Sequence, residues 1–187
     1  MQAFLEGQKL AVREILGERI HRASNLKGRF VLRSGVVSDE YFDKYLFESD
    51  PALLREIAEA IRDLLPEGID ALAGLEMGGI PIATVLSQLT GLPTLFARKK
   101  AKEYGTCKLA EGGAIQGRRL VVVEDVITSG GQVRLSCQEL RRLGAEIVCV
   151  VAVIDRESGG AANLAQDNLE LRALFTMSEL KRMALPS

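Results

Sequence analysis

The segment VVVEDVITSGG, Val121 to Gly131, sets two kinds of chemistry side by side. Three valines suit a buried strand. Glu124 and Asp125 follow directly, then Val126 and Ile127, then Thr128, Ser129, Gly130 and Gly131, where a helical pattern begins. Free backbone N–H groups at a helix N-terminus, with the positive end of the helix dipole, bind phosphate well. Glycines let the backbone approach closely and the hydroxyls add donors. Acids repel phosphate, so Glu124 and Asp125 need another partner; ribose hydroxyls or a magnesium ion suit them. Acids for a sugar, followed by a cradle for that sugar's phosphate, describe a ribose-5-phosphate site. The plain alternative is a helix cap beside two surface acids, but a buried strand rarely ends in two unpartnered acids. The segment is neither a Walker A loop nor GxGxxG.

Three further stretches carry reactive types. GLEMGGIP (74–81) is a second glycine-rich turn, either a plain strand–helix connection or a holder for another phosphate group. From Arg98 to Lys108 the chain has five Lys/Arg and one acid. Alone this is a solvated face; beside two phosphate-sized cradles it reads as a mobile lid that neutralises a polyanion and excludes water, with Tyr104, Gly105 and Thr106 as hinge and polar tip. IDRESGG (154–160) ends an apolar run in an Asp-Arg pair, and Arg156 could fork onto a substrate carboxylate or bridge a neighbouring acid.

These loops need strands to present them. The apolar runs at 69–74, 92–97, 119–125 and 146–155 read as buried strands, and 169–175 as one more. Between them, 78–91 is expected as a loop feeding a helix that Gly91 ends, and 131–143 as a helix stopped by Gly144. Upstream, residues 8–22 have one apolar side, 29–35 reads as a strand, and Asp50-Pro51 opens a helix that Pro66 and Gly68 end. Residues 98–117 form a polar loop or a hairpin. Strands apolar along their length and alternating with helices imply a mostly parallel sheet covered on both faces, with ligands beyond its carboxyl ends.

With 187 residues, 47% hydrophobic and 26% charged, the chain suits one globular domain; its net charge of −1 points to neither nucleic acid nor membrane. No apolar run spans a bilayer, and the N-terminus lacks the pattern of a signal peptide. Cys107, Cys137 and Cys149 are far apart, so neither zinc nor disulfides are expected, which suits the cytoplasm. His21, the only histidine, is expected on a helix surface.

Together these pieces resemble the type I phosphoribosyltransferases. VVVEDVITSGG looks like that family's signature for phosphoribosyl pyrophosphate (PRPP). FVLRSG followed by YFDKY, the loop RKKAKEYGT and the closing DRESGG, in that order, resemble the orotate phosphoribosyltransferases over residues 28 to 160. The resemblance implies an α/β fold with a mostly parallel central sheet, helices on both faces and a small N-terminal hood (about 1–48, with the core about 50–175). It implies transfer of phosphoribosyl from PRPP to orotate, giving orotidine 5′-monophosphate, with Mg²⁺ entering mainly through PRPP, and a homodimer whose lid is shared. By position, Glu124 and Asp125 would hold the ribose hydroxyls and Val126 to Gln132 the 5-phosphate. Met77 and Gly78 would line the pyrophosphate loop, near a non-proline cis peptide at Glu76–Met77. Arg98, Lys99 and Lys102 would meet the pyrophosphate. Tyr41, Phe42, Thr128 and Arg156 would take the base. Arg33 stands where many members have lysine, and Tyr104 where many have histidine, so the lid's cationic work falls on Lys102. A purine or xanthine phosphoribosyltransferase would share EDVITSGG but leaves YFDKY and Arg156 unexplained. A PRPP-sensing regulator would need a nucleic-acid surface, and no basic segment for one stands out.

Overall fold

The structure is a computed structural model and describes residues 2–31, 35–99 and 109–185. Its centre is a six-stranded sheet in the order β5-β4-β3-β6-β7-β8. The strands are β3 (Ala71–Leu75), β4 (Thr94–Ala97), β5 (Ala110–Glu111), β6 (Arg119–Ile127), β7 (Glu146–Asp155) and β8 (Leu171–Thr176). All pairs are parallel except the short β4–β5 pair. Strand β3 and most of β6 and β7, buried on both faces, show continuous apolar runs rather than alternation. Val121 and Val123 point into one core layer, with Leu16, Ile20, Ile57, Ile82 and Leu86. Leu120 and Val122 point into the other, with Val133, Cys137, Leu140 and Leu164.

The first layer is covered by α1 (Gln2–Ser24), α3 (Pro51–Arg62), α4 (Gly79–Thr90) and α7 (Met177–Met183), the second by α5 (Gly131–Arg142) and α6 (Gly160–Ala165). Asp50 caps α3 as expected, its Oδ1 accepting from the N–H groups of Ala52 and Leu53, with Pro51 in the first turn. Helix α1 runs beyond 8–22 in both directions and joins the main core through Leu16 and Ile20. The strand expected at 29–35 is shifted upstream: β1 (Asn25–Val31) pairs antiparallel with β2 (Val37–Phe42) in a separate two-stranded sheet. Next comes α2 (Lys44–Ser49), capped by Asp43 and anchored by Phe47, which is fully buried. Among the described elements, β1 and β2 form a sheet of their own, while α1 and α2 contribute to the main core.

The strand order positions the site. From β3 the chain steps outward to β4, then returns to lay β6 on the other side of β3 and continues to β7 and β8. Connections leave β3 and β6 in opposite directions, which opens a crevice beyond their carboxyl ends.

Candidate active site

The crevice is a cleft of about 310 Å³. Its walls bring together Glu76 and Met77 after β3, Arg98 and Lys99 after β4, Glu124 and Val126 through Gln132 on β6 and its loop, and Lys44 and Tyr45 on α2.

The phosphate cradle is built from backbone. The N-cap of α5 is Gly130, left-handed at φ 72°, a conformation costly for a residue with a Cβ. No side chain caps this end, so the first-turn N–H groups, which have no intrahelical acceptor, are left for a ligand. Thr128 and Ser129 are exposed at its rim. The loop is fixed from behind: Asn163 Nδ2 donates to Ser129 O (2.7 Å), and Arg156 N donates to Ile127 O (2.8 Å). Gly160 explains the second glycine of DRESGG, since a Cβ there would lie 2.7 Å from Thr128 O and 2.5 Å from an Ile127 methyl.

The second glycine turn packs against the acids. The Glu76–Met77 peptide is cis. A Cβ on Gly78 would lie 1.5 Å from Asp125 Oδ2, and one on Gly79 would lie 2.1 Å from Val123 O. The two glycines thus let this turn lie directly on the end of β6. Glu76 Oε1 accepts from Lys99 N (2.6 Å), tying the ends of β3 and β4 together. Arg98 Nε is buried without a hydrogen-bond partner among the described residues, a cationic donor free for an anion.

The two acids differ. Glu124 is partly exposed on the cleft wall, whereas Asp125 is 0% exposed beneath the 76–79 turn. Asp125 Oδ1 accepts from Val126 N, and Lys44 Nζ lies 2.5 Å from Oδ2, an ion-pair distance off the line of a directed hydrogen bond. Burial opposes ionisation of Asp125, yet its close neighbours Glu124, Lys44 and Glu48 outweigh it and hold its pKa below the usual carboxylate range. Burial opposes the Lys44 ammonium too, but Asp125 more than offsets this and raises the lysine's pKa. Glu124 is pushed well above its ordinary value by burial and then by the charge of Asp125.

Tyr41 and Phe42 do not line the cleft; they lie at the end of β2, Tyr41 with its ring 5.5 Å from Phe30 and Phe42 with its ring 6.4 Å from His21. Arg156 also lies off the cleft lining, exposed, with no ion pair among the described residues. Its neighbours are otherwise occupied: Asp155 Oδ1 accepts from Glu157 N, and Glu157 Oε2 from Ser178 N. Arg33, Lys102 and Tyr104 lie outside the described residues. Lys44, Tyr45 and Glu48 were not singled out by the sequence, although YFDKY contains two of them. His21 is half-buried on α1. Among the described residues, no group of three or more His, Cys, Asp or Glu side chains could hold a metal ion, and no helix is long and apolar enough to cross a membrane.

A phosphoribosyl transferase domain model matches residues 47–168, which span β3 to β7 and every loop of the cleft. An orotate phosphoribosyltransferase of a Nocardioides species is 54% identical over 165 residues, 88% of this chain and 92% of that protein. This chain belongs to the orotate phosphoribosyltransferase family. A further member, from Methanocella arvoryzae, is 42% identical over 82% of this chain and 87% of its own length. Among solved structures, the orotate phosphoribosyltransferase of Mycobacterium tuberculosis in complex with PRPP superposes with a TM-score of 0.78 at 26% identity, over 91% of this chain and 99% of that one.

Proposed function

We propose that the chain transfers the phosphoribosyl group of PRPP to a ring nitrogen of orotate, releasing pyrophosphate and giving orotidine 5′-monophosphate for pyrimidine synthesis. The observation that carries this reading is one cleft holding an uncapped helix N-terminus at Gly130–Gln132, Glu124 beside it, and Arg98 and Lys99 across from it. That order matches a 5-phosphate, ribose hydroxyls and a polyanionic leaving group. The names of the relatives support orotate as acceptor.

The bond to pyrophosphate breaks as positive charge develops on the ribose C1 and negative charge grows on the leaving group. The chain supplies cations and N–H donors for that charge, each worth roughly 3–4 kcal/mol when preorganised. Forming the bond to C1 releases the proton of the ring N–H, which the departing pyrophosphate or solvent can take up, so no protein base is assigned. Glu124 would take the ribose hydroxyls from the cleft wall, with Asp125 joining it as Lys44 and the 76–79 turn adjust to PRPP. Met77 and Gly78 would flank the pyrophosphate, and Thr128, Arg156, Tyr41 and Phe42 would surround the base. Arg33, Tyr104 and Lys102, with Lys102 reaching a neighbouring subunit in a homodimer, complete the reading on the motif alone.

Mg²⁺ is read as an ion carried by the substrate's own oxygens; no side chain is assigned to it. When bound it supplies charge neutralisation of the pyrophosphate. The free, buried thiols of Cys137 and Cys149 support a reducing compartment, the cytoplasm.

The test is PRPP and Mg²⁺ with orotate, hypoxanthine, adenine or uracil, followed by product analysis. Orotidine 5′-monophosphate and pyrophosphate are expected from orotate alone. A purine nucleotide as the main product would replace this reading with a purine-specific one.

A further inference from the structure

Behind the cleft lies a group that the phosphate and ribose roles leave unexplained. Glu48 sits in the last turn of α2 and is 8% exposed. Its Oε1 and Asp125 Oδ2 are both buried, and neither has a directed hydrogen-bond partner among the described residues. The two oxygens converge on one point: an atom at the Cβ position of Gly78 would be 1.5 Å from Asp125 Oδ2 and 2.8 Å from Glu48 Oε1. Two carboxylate oxygens are both acceptors and can bond only if one of them carries a proton. Charge counting points the same way. The groups facing Glu48 are Asp125 and Glu124 from β6 and Lys44 and Asp43 from the start of its own helix, so one cation stands among four acids. The helices packed on the other sides, α1 and α3, bring Leu16, Ile20, Leu53 and Ile57 to the core around Phe47. Two ionised carboxylates buried side by side repel each other, which favours a proton on one of them.

Resting on the phosphoribosyl-transfer reading, we propose that Glu48 and Asp125 share one proton, held on Glu48, and that this pair clamps the acid end of β6 under the 76–79 turn. Glu48 is then a positioning residue. It touches no substrate, but it fixes the carboxylate of Asp125 and, through it, the distance between the ribose end and the pyrophosphate end of the cleft. Lys44 keeps the charge on Asp125, so the proton stays on the glutamate. The direction of titration agrees: burial, then hydrogen bonding to Asp125, pushes the Glu48 pKa up to about 8. Loss of that proton would set two buried charges against each other and lift the turn from the strand.

The decisive comparison is Glu48→Gln, which keeps the shape and the donor but cannot titrate. In an infrared difference spectrum at pH 6, wild type minus Glu48→Gln, a protonated-carboxyl C=O band is expected that fades as pH passes about 8. With PRPP and orotate, wild-type kcat/KM for PRPP should fall by about tenfold per pH unit above that point. Glu48→Gln should keep its neutral-pH value within about twofold and show no such limb, whereas Glu48→Ala should be lower throughout. No difference band, or an alkaline limb in Glu48→Gln equal to wild type, overturns the proposal and places the proton elsewhere, on Glu124 first. Should Glu48→Gln not fold, Asp125→Asn serves: the Glu48 band should then titrate at lower pH, and an unmoved band overturns the pairing. The infrared arm needs no acceptor base, so it decides the proposal even if orotate proves not to be the substrate.

Discussion

Arg156 follows a buried strand yet is exposed, with no acid holding it among the described residues. An arginine left free beside the phosphate loop suits a ligand carboxylate. A charged hydrogen bond of this kind is worth about 1.5–3 kcal/mol, roughly 10- to 100-fold in affinity. Arg156→Ala should therefore raise KM for orotate by that factor while leaving KM for PRPP nearly unchanged; steady-state kinetics with each substrate varied would show it, and equal rises would remove the assignment. Glu48 makes a second prediction at this scale, about stability. Its pKa is about 8 in the folded chain against an ordinary 4.5, so the folded state binds the extra proton between those values. Stability from this group is then full below about pH 4.5 and is lost as pH rises to about 8, with a slope of up to about 1.4 kcal/mol per pH unit. Asp125, with a depressed pKa, acts in the opposite sense and only at pH below its ordinary 3.8. Urea unfolding of wild type and Glu48→Gln across pH 5–8 should give lines that lie close together at pH 5 and diverge as pH rises, wild type losing stability while the variant does not. Thr128 to Gln132, Arg98 and Lys99 were legible in the sequence because a backbone cradle and a basic run are local patterns. Lys44 and Glu48 were not, because their chemistry appears only once α2 is laid over the end of β6.

The loops hold their shape because elements approach one another closely at glycines. Gly160, the first residue of α6, lies against the Ile127–Thr128 backbone where no Cβ fits. Gly160→Ala should push α6 away from the phosphate loop, destabilise the chain by about 1–3 kcal/mol and raise KM for PRPP more than KM for orotate. Denaturant midpoints with paired kinetics would test this, and an unchanged KM would mean that the cradle does not depend on α6. At this scale the parallel strands were readable because two-sided burial makes them apolar throughout, as in Ala71–Leu75. Strand β2 was not. In Val37–Phe42 the side chains alternate between exposed and half-buried and none is fully buried, so the apolar signal is thin. Helices α2 and α6 are six residues each, too short for a helical period to emerge. Helix α1 extends past the readable 8–22 because no apolar period marks its start.

For the whole molecule, the proposed sharing of Lys102 between subunits has a direct consequence. Lys102→Ala and Asp125→Asn proteins, each inactive alone, should regain a fraction of wild-type activity when mixed, since a heterodimer carries one composite site with both residues intact. Mixing that exchanges subunits, as native mass spectrometry would show, but restores nothing would place Lys102 in its own chain's cleft. The strand order also bears on how the chain is made. Strand β3 borders β4, its successor, on one side and β6 on the other, with Ala73 opposite Leu95 and Val122. During synthesis β3 and β4 can pair early, but the acid end of β6 emerges only after the basic loop has left the ribosome. Pairings of such sequence separation form slowly. Until β6 inserts, one edge of β3 stays open and the turn at Gly78 has nothing to close upon. A nascent chain stalled before residue 119 is thus expected to expose an unpaired strand edge and recruit chaperones, and one released past β7 to lose them.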